Sequence, residues 1–483
     1  MHRKGSKSRP GATPDARTEK RPKSATTSSQ TWHIYYRAVP IERVDDPGNH
    51  PVATRHDMPV DSEVLNGLLQ RAGREVDEGL LPACQIAVAC RGQLLASRTY
   101  GASPTSRFVI YSCTKAITAG AIWLLLGDGL LERGTRVADV APPFSEHGKD
   151  TVTVEHLLTH TAGFPSAQMS DDDWADPRRR MARLASWKLE WEPGSRFVYH
   201  GSSAHWVLAQ LAESVTGTDF RTFVRDALLG PLRLDSLCLG PVPGDQDDVL
   251  DVVGVGDAMS QDELDELGGS IGLDVSAIGT SEKDLLRHND PEVRAVGQPG
   301  GGAVGRAADL AMYYQALLAN PDALWRPQVL AAGTAEILCD LVDPMTGAPA
   351  NRTLGLLLAG NADTAMMRGF ASTNSPRTFG HMGAGGQVSW ADPTTGLSFA
   401  YLTNGLDRNP VRMGARGLSL SYRAGAVAAA GAGGPHGPGL WVAKMPSGLV
   451  TPPVGIHGSV RRQRRCDAPP PAQDHRLVAE SPS

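Results

Sequence analysis

YSCTKAITAG, residues 111–120, is the stretch on which the reading of this chain turns. Its lysine, Lys115, opens a run, AITAGAIWLLL, that is apolar and small on nearly every side. Burying an ammonium is costly unless acceptors hold it or it gives up its proton. Ser112 stands three residues earlier, and at i and i+3 of a helix two side chains share a face. The pattern predicts a helix from Ser112 to about Leu131, with Gly127, Gly129 and Gly134 marking its end. Ser112 then lies at the helix N-terminus, where partial positive charge collects. A desolvated lysine loses proton affinity and can take the proton of a serine hydroxyl. The plain alternative is a chance Ser-Lys pair whose amine snorkels to solvent. Ten residues alone do not choose between the two.

Upstream, PVDSEVLNGLLQRAGREVDEGLLP reads as a capped helix, with Asp61 or Ser62 as N-cap and Val64, Leu65, Leu68, Leu69 and Val76 on its apolar face. Residues 1–58 are basic, rich in Ser, Thr and Pro, and lack periodicity, so disorder is expected there. The folded protein is expected to start at Met58, the preceding segment being a mis-assigned start. Next, QIAVAC and LLASRTY flank Arg91-Gly92, a hairpin signal. Downstream of the lysine, TVTVEHLLTHTAGFP is a short helix running into a turn, and helical patterns follow to about residue 320, among them SSAHWVLAQLAESVTG and RAADLAMYYQALLAN. RTFGHMG, GQVSWADP and LSFAYLTN then return to a strand period, and an Arg-rich helix runs from about Asn409 to Ala424. Residues 426–483 are Ala/Gly/Pro-rich, with RRQRR at 461–465, and read as a solvated, disordered tail.

Strands, then helices, then strands predict one domain over residues 59–425. Its fold class is α/β in the broad, α+β sense: an antiparallel sheet flanked by helices, beside a mostly helical region. The net charge of −5 over 483 residues gives no reason to expect nucleic acid as partner. No apolar run is long enough for an integral membrane segment. The six cysteines are scattered without a CxxC pair and read as reduced thiols. No secretory signal is seen at the N-terminus, which points to the cytoplasm and leaves export or surface association open. His156 and His160 lie at i, i+4, but Leu-Leu-Thr between them is not HExxH, so both read as structural and no metal site is expected. Only 9 of the 47 basic residues are lysine, which makes a lysine in the folded region informative.

Four segments in order carry a resemblance. Ser112-x-x-Lys115 is followed by a leucine-rich helix, then by His156-Leu157-Leu158-Thr159-His160-Thr161-Ala162-Gly163, Pro193-Gly194-Ser195-Arg196-Phe197-Val198-Tyr199, and His381-Met382-Gly383-Ala384-Gly385-Gly386. Over about residues 62–424 the chain resembles the serine β-lactamase and penicillin-binding protein superfamily, in its class C-like branch of esterases and peptidases. That resemblance implies a β-lactamase-like fold and a serine hydrolase working through an acyl-enzyme. It makes Ser112 the nucleophile, Lys115 its base, Tyr199 a second base and proton shuttle, and the backbone N–H groups of Ser112 and Ala384 the oxyanion hole. Gly383 would line the substrate site. His381, standing where many relatives have lysine, would line the site from the edge strand and count with Ser112, Lys115 and Tyr199 among the catalytic side chains. No cofactor is implied.

Two departures bear on substrate. Relatives that hydrolyse β-lactams carry Y-x-N, whose Asn grips the substrate amide; here Tyr199 is followed by His200 and Gly201, so that Asn is absent, with Ser202 or Ser203 as partial substitutes. The lysine of K-T-G is His381. Both point to a small ester or uncharged amide, hence a carboxylesterase. The alternatives are a β-lactamase or D-stereospecific peptidase of the same fold, and a catalytically degenerate binding protein. A rival motif, Gly268-Gly269-Ser270-Ile271-Gly272, fits G-x-S-x-G, but acidic QDELDEL precedes it where that motif needs a hydrophobic strand.

Overall fold

A computed structural model describes residues 60–260, 262–263 and 281–428. Met58, the 268–272 motif and the basic cluster at 461–465 lie outside the described residues. Asp61 caps helix α1 (Ser62–Asp77), its carboxylate accepting the N–H groups of Glu63 and Val64 at 2.9 and 3.1 Å. Strands β1 (Cys84–Cys90) and β2 (Gln93–Tyr100) form the expected hairpin. Arg91 and Gly92 at its tip both have positive φ, 49° and 79°, the geometry that matches a two-residue turn to strand twist.

The lysine segment differs from its expectation. Residues Tyr111–Cys113 form a 3₁₀ turn, and helix α2 covers only Thr114–Gly127. It stops early because Gly129, at φ 72°, completes a Schellman cap: its N–H bonds the Leu126 carbonyl at 3.3 Å, and that of Leu130 bonds Leu125 at 3.0 Å. Leu130 and Leu131, counted as helix from their apolar character, follow the cap instead. Residues Thr114 to Leu125 of α2 are all buried, as expected for a helix apolar on every face.

The helical region includes α3 (Val154–Leu158), α4 (Ser203–Thr216) and α5 (Ala307–Ala319). The chain then returns to the sheet through β3 (Leu357–Leu358), β4 (Phe379–Met382), β5 (Val388–Asp392) and β6 (Leu397–Thr403), and ends in α6 (Pro410–Ala426). The sheet order is β2-β1-β6-β5-β4-β3, antiparallel throughout. β1 and β6, from opposite ends of the chain, sit side by side. Helix α6 runs two residues past its expected end because Val427 is buried and its carbonyl accepts the Asp61 N–H at 3.0 Å, joining both ends of the fold. Among the described residues no helix is long and apolar enough to cross a membrane.

Strand alternation sorts residues by size. Ile86, Val88, Trp390, Phe399 and Tyr401 share one core with Leu65, Leu68 and Leu420 of α1 and α6. The opposite face carries Ala87, Ala89, Ala391 and Ala400, and α5 lies against it. Small residues let that helix come close enough for Ser398 to donate to the Ala311 carbonyl at 2.8 Å. The two histidines read as structural are so: His156 closes a capping box with Thr153, and His160 Nδ1 accepts the His200 N–H at 3.1 Å.

Two predictions follow from this packing. A Cβ on Gly120 would collide with the Tyr313 hydroxyl, with the rest of the ring at 3.4 Å or more. Overpacking costs about 1–3 kcal/mol, more than the ~1 kcal/mol that alanine gains over glycine in a helix. Gly120→Ala is therefore expected to lower the melting temperature, and adding Tyr313→Phe to restore most of it; no recovery in the double variant would contradict this packing. The second concerns protons. Burial lowers His200 and His288 from about 6.5 to about 4 and also depresses His160 and His205. Below pH 6.5 the unfolded chain binds protons at these rings that the folded chain refuses, so stability falls as pH drops from about 6.5 toward 4. Melting temperatures across pH 4–8 are expected to show that slope, shallower in His200→Asn; a flat profile would refute it.

Candidate active site

The 3₁₀ turn that carries Ser112 is wound on a strained residue. Tyr111 has φ 44°, uncommon for a side chain of its size, and is fixed by its hydroxyl donating to the Leu285 carbonyl at 3.1 Å. One turn on, Lys115 is fully buried. Its Nζ lies 3.1 Å from Ser112 Oγ, 2.7 Å from the Gly201 carbonyl and 2.6 Å from the Gly300 carbonyl. Burial lowers its proton affinity first of all; Tyr199 opposes this and the Arg352 charge adds to it.

Gly300 belongs to Gln298-Pro299-Gly300-Gly301-Gly302, a segment the sequence reading passed over. It hangs from the polar stripe of α2: Thr118 donates to the Pro299 carbonyl at 2.6 Å, and Thr114 Oγ1 accepts the Ala303 N–H at 3.1 Å. A side chain at Gly302 would meet the Gln298 nitrogen at 2.5 Å, which is why a glycine run closes here. Its signal in the sequence was three consecutive glycines opposite a helix that otherwise had no use for two threonines.

Tyr199 comes from the loop entering α4. Its hydroxyl donates to Ser112 Oγ at 2.9 Å, and Lys115 Nζ stands 5.0 Å from its ring centroid. The loop is held from behind, since the Val198 N–H reaches the His160 carbonyl at 3.3 Å and the His160 ring stacks on Tyr199 at 4.8 Å. Thus Ser112, Lys115 and Tyr199 converge on one oxygen. Of the two serines offered as substitutes for the missing Asn, Ser203 is buried and donates to the Phe164 carbonyl at 3.0 Å, so it is committed to the scaffold. Ser202 makes no capping bond at the start of α4. Gly201 is exposed, and nothing lies within 4 Å of where a Cβ would sit, so the cleft is open there.

On the sheet side the arrangement corrects one expectation. β4 is not the edge strand: β3 pairs with Phe379 and Gly380 outside it. His381 is buried, and its Nδ1 donates to the Met382 carbonyl at 2.9 Å, leaving Nε2 to accept from Arg352 Nη1 at 3.3 Å. Its ring is 6.1 Å from that of Tyr199. Burial, with Arg352 and Lys115 nearby, pushes the imidazole well below its ordinary range, so it is neutral. Arg352 itself was not singled out from the sequence, where it stood in a stretch without a motif.

The turn after β4 packs on the serine turn. A Cβ on Gly383 would lie 2.9 Å from the Ile110 carbonyl, and one on Gly385 would lie 2.8 Å from the Tyr111 ring. Gly383 therefore owes its identity to this close approach. The Gly383 and Gly385 N–H groups are taken by Gln387, at 2.9 and 3.0 Å, and that of Gly386 by the Gly383 carbonyl. Ala384, between them, is half-buried. Among the described residues no group of three or more His, Cys, Asp or Glu side chains is arranged to hold a metal ion.

Comparison with known proteins agrees with this fold. Solved structures with the same fold include a penicillin-binding protein homolog from Caulobacter crescentus, with a TM-score of 0.62, 24% identity, and coverage of 76% of this chain and 98% of that one. EstA from Arthrobacter nitroguajacolicus Rue61a superposes with a TM-score of 0.63 at 23% identity, covering 77% and 99%. In sequence the chain is 30% identical over 324 residues to the esterase/beta-lactamase LipL of Mycobacterium tuberculosis (strain ATCC 25618 / H37Rv), covering 63% of this chain and 70% of LipL. The beta-lactamase family model matches residues 69–424, the span that holds the sheet, the helical region, Ser112 and the two side chains at its oxygen, Lys115 and Tyr199. The chain is a serine hydrolase of the β-lactamase fold and belongs to the beta-lactamase family.

Proposed function

We propose that this hydrolase is a carboxylesterase for small esters, with Ser112 as the acylated nucleophile. The observation that carries the reading is the convergence of Lys115 Nζ and Tyr199 OH on Ser112 Oγ, at 3.1 and 2.9 Å. Three acceptors surround Nζ, so an ammonium donates to all of them. A neutral amine donates its two hydrogens to the Gly201 and Gly300 carbonyls and keeps its lone pair for Ser112. The cage accommodates both protonation states without rearrangement, which suits a base that takes and returns one proton.

In the first step the Ser112 oxygen forms a bond to the ester carbonyl carbon as its proton passes to the Lys115–Tyr199 pair. The negative carbonyl oxygen is received by the N–H groups of Ser112 and Ala384, the second held by a turn that packs on Ile110 and Tyr111. The C–O bond to the alcohol then breaks, and Tyr199 returns the proton to the leaving oxygen. Water repeats the sequence on the acyl-enzyme, releasing the acid and restoring Ser112. His381 packs its ring near that of Tyr199, its side-chain hydrogen bonds going to Arg352 and the Met382 carbonyl, and belongs to the wall.

Two features favour esters. Gly201 offers no side-chain amide at the position after Tyr199-His200, and neutral His381 offers no cation from β4 to a substrate carboxylate. LipL, named as an esterase and a beta-lactamase, also supports an ester substrate and motivates β-lactam turnover as the second reading.

The test is a substrate panel on wild type and variants. Short-chain p-nitrophenyl esters are expected to exceed a chromogenic cephalosporin and D-Ala-D-Ala peptides in kcat/KM; a cephalosporin as best substrate would replace the esterase reading with the second. Ser112→Ala is expected to lose at least about 10⁴-fold in kcat, and Tyr199→Phe about 10²- to 10⁴-fold. A fluorophosphonate should label wild type at Ser112. Failure to label the folded protein would instead favour a binding protein.

A further inference from the structure

Among the described residues six arginines are buried: Arg107, Arg180, Arg294, Arg352, Arg368 and Arg416. Four are paired with carboxylates: Arg107 with Asp248, Arg180 with Glu213, Arg294 with Asp251, and Arg416 with Glu75 and Asp407. Arg368 gives its hydrogens to the carbonyls of Pro349 and Ala359 and to Thr364. The Nε of Arg368 and that of Arg352 are both buried without a partner. Arg352 differs from the other five in the rest of its guanidinium, which has one hydrogen bond, to the neutral His381 ring. A buried charge left without a counter-ion is costly and is seldom retained for stability.

The location says what the charge faces. Arg352 is held at a backbone junction, bridging Cys339 on one side and Leu357 of β3 on the other. Its guanidinium carbon lies 5.3 Å from the Tyr199 ring centroid and 5.5 Å from that of Phe197. The Tyr199 ring thus has two cationic side chains near it, Lys115 and Arg352. The other groups facing the pair are Ser112, Cys113, His160, His205 and His381. Cys113 is pushed up to about 12 by burial, and the three imidazoles are held neutral. Arg352 also feels Asp343 and Cys339, neither in ion-pair contact. Among the described residues no carboxylate forms an ion pair with the guanidinium.

We propose that Arg352 is a positioning residue that supplies the fixed positive charge facing Tyr199 and Lys115, so that the pair accepts the Ser112 proton at lower pH than it would alone. The charge enters from the junction beside β3 and reaches past His381, which is itself uncharged. Removing a cation makes deprotonation of either partner harder, so the effect has the same sign whichever of the two is the base. This inference rests on the proposed role of Ser112, Lys115 and Tyr199.

The test is the pH profile of kcat/KM for p-nitrophenyl butyrate from pH 5 to 10, on the full chain. Arg352→Gln and Arg352→Met are expected to move the ascending limb about one pH unit or more toward alkaline pH, roughly a tenfold loss on the slope of the limb. Arg352→Lys should keep the limb within about 0.3 unit of wild type, since charge rather than shape sets it. A loss at every pH with the limb in place would make Arg352 structural support and overturn the proposal. So would a limb unmoved in both neutral variants, or one displaced in Arg352→Lys as far as in Arg352→Gln. If neither neutral variant folds, Arg352→Lys decides alone: a limb at the wild-type position sustains the proposal, and one displaced by a unit overturns it. Ser112→Ala separates the two levels. If it stays active, the reading of the site fails; if it is dead while the Arg352 variants leave the limb unmoved, only this inference fails.

Discussion

Everything around the serine depends on one caged nitrogen. Lys115 Nζ draws together the turn bearing Ser112, the loop bearing Tyr199 and Gly201, and the glycine segment at Gly300. None of these segments is adjacent in sequence, and none carries a carboxylate to the amine. Held by carbonyls, the nitrogen is oriented without being locked into its charged form. Burial alone does not make such a site. Lys149 is as buried as Lys115, and its Nζ donates to the carbonyls of Glu146, Ala185 and Trp187. It has no hydroxyl beside it and closes a loop. What sets Lys115 apart from Lys149 is the identity of one neighbour, Ser112, together with the phenol that shares it.

Much of this was legible in the sequence because it was periodic or local. The β1–β2 hairpin, α1 with its Asp61 cap, and the three late strands follow from alternation, capping and turn residues. Ser112, Lys115 and Tyr199 were found through motifs in order, and the structure brings their side chains together. The parts that escaped depend on contacts between distant segments. Gly300 acts through its carbonyl, which no side-chain motif reports. Arg352 was one of many arginines, and what sets it apart is that it lacks a counter-ion and faces the Tyr199 ring, a property of three-dimensional surroundings. The position of β4 inside the edge was hidden because β3 is two residues long and pairs beyond the reach of a period. The end of α2 was misplaced because Leu130 and Leu131 are apolar in the cap as well as in a helix.

The distribution of charge follows a division of labour. Away from the serine, four buried arginines are paired with carboxylates, as where Arg416 joins Glu75 of α1 to Asp407 beside α6, while Arg368 and Lys149 are held by carbonyls. Around the serine, cations face carbonyls, rings and a phenol. A carboxylate in that wall would stabilise protonated Lys115 and work against its release of the proton. Neutral His381 serves the same end, filling the strand position without adding a titrating charge of its own.

The pairing of β1 with β6 has a consequence for how the molecule comes into being. Thr403 of β6 bonds the Ala83 carbonyl just before β1, a contact spanning 320 positions. The serine turn is synthesised early, whereas the turn bearing Ala384 and the central strand that anchors the hairpin emerge only when most of the chain has left the ribosome. Contacts this distant have to wait for loop closure and make for slow folding. Ser112 therefore exists in the nascent polypeptide long before its surroundings do, and assembly of the sheet is the event that completes the environment of its hydroxyl.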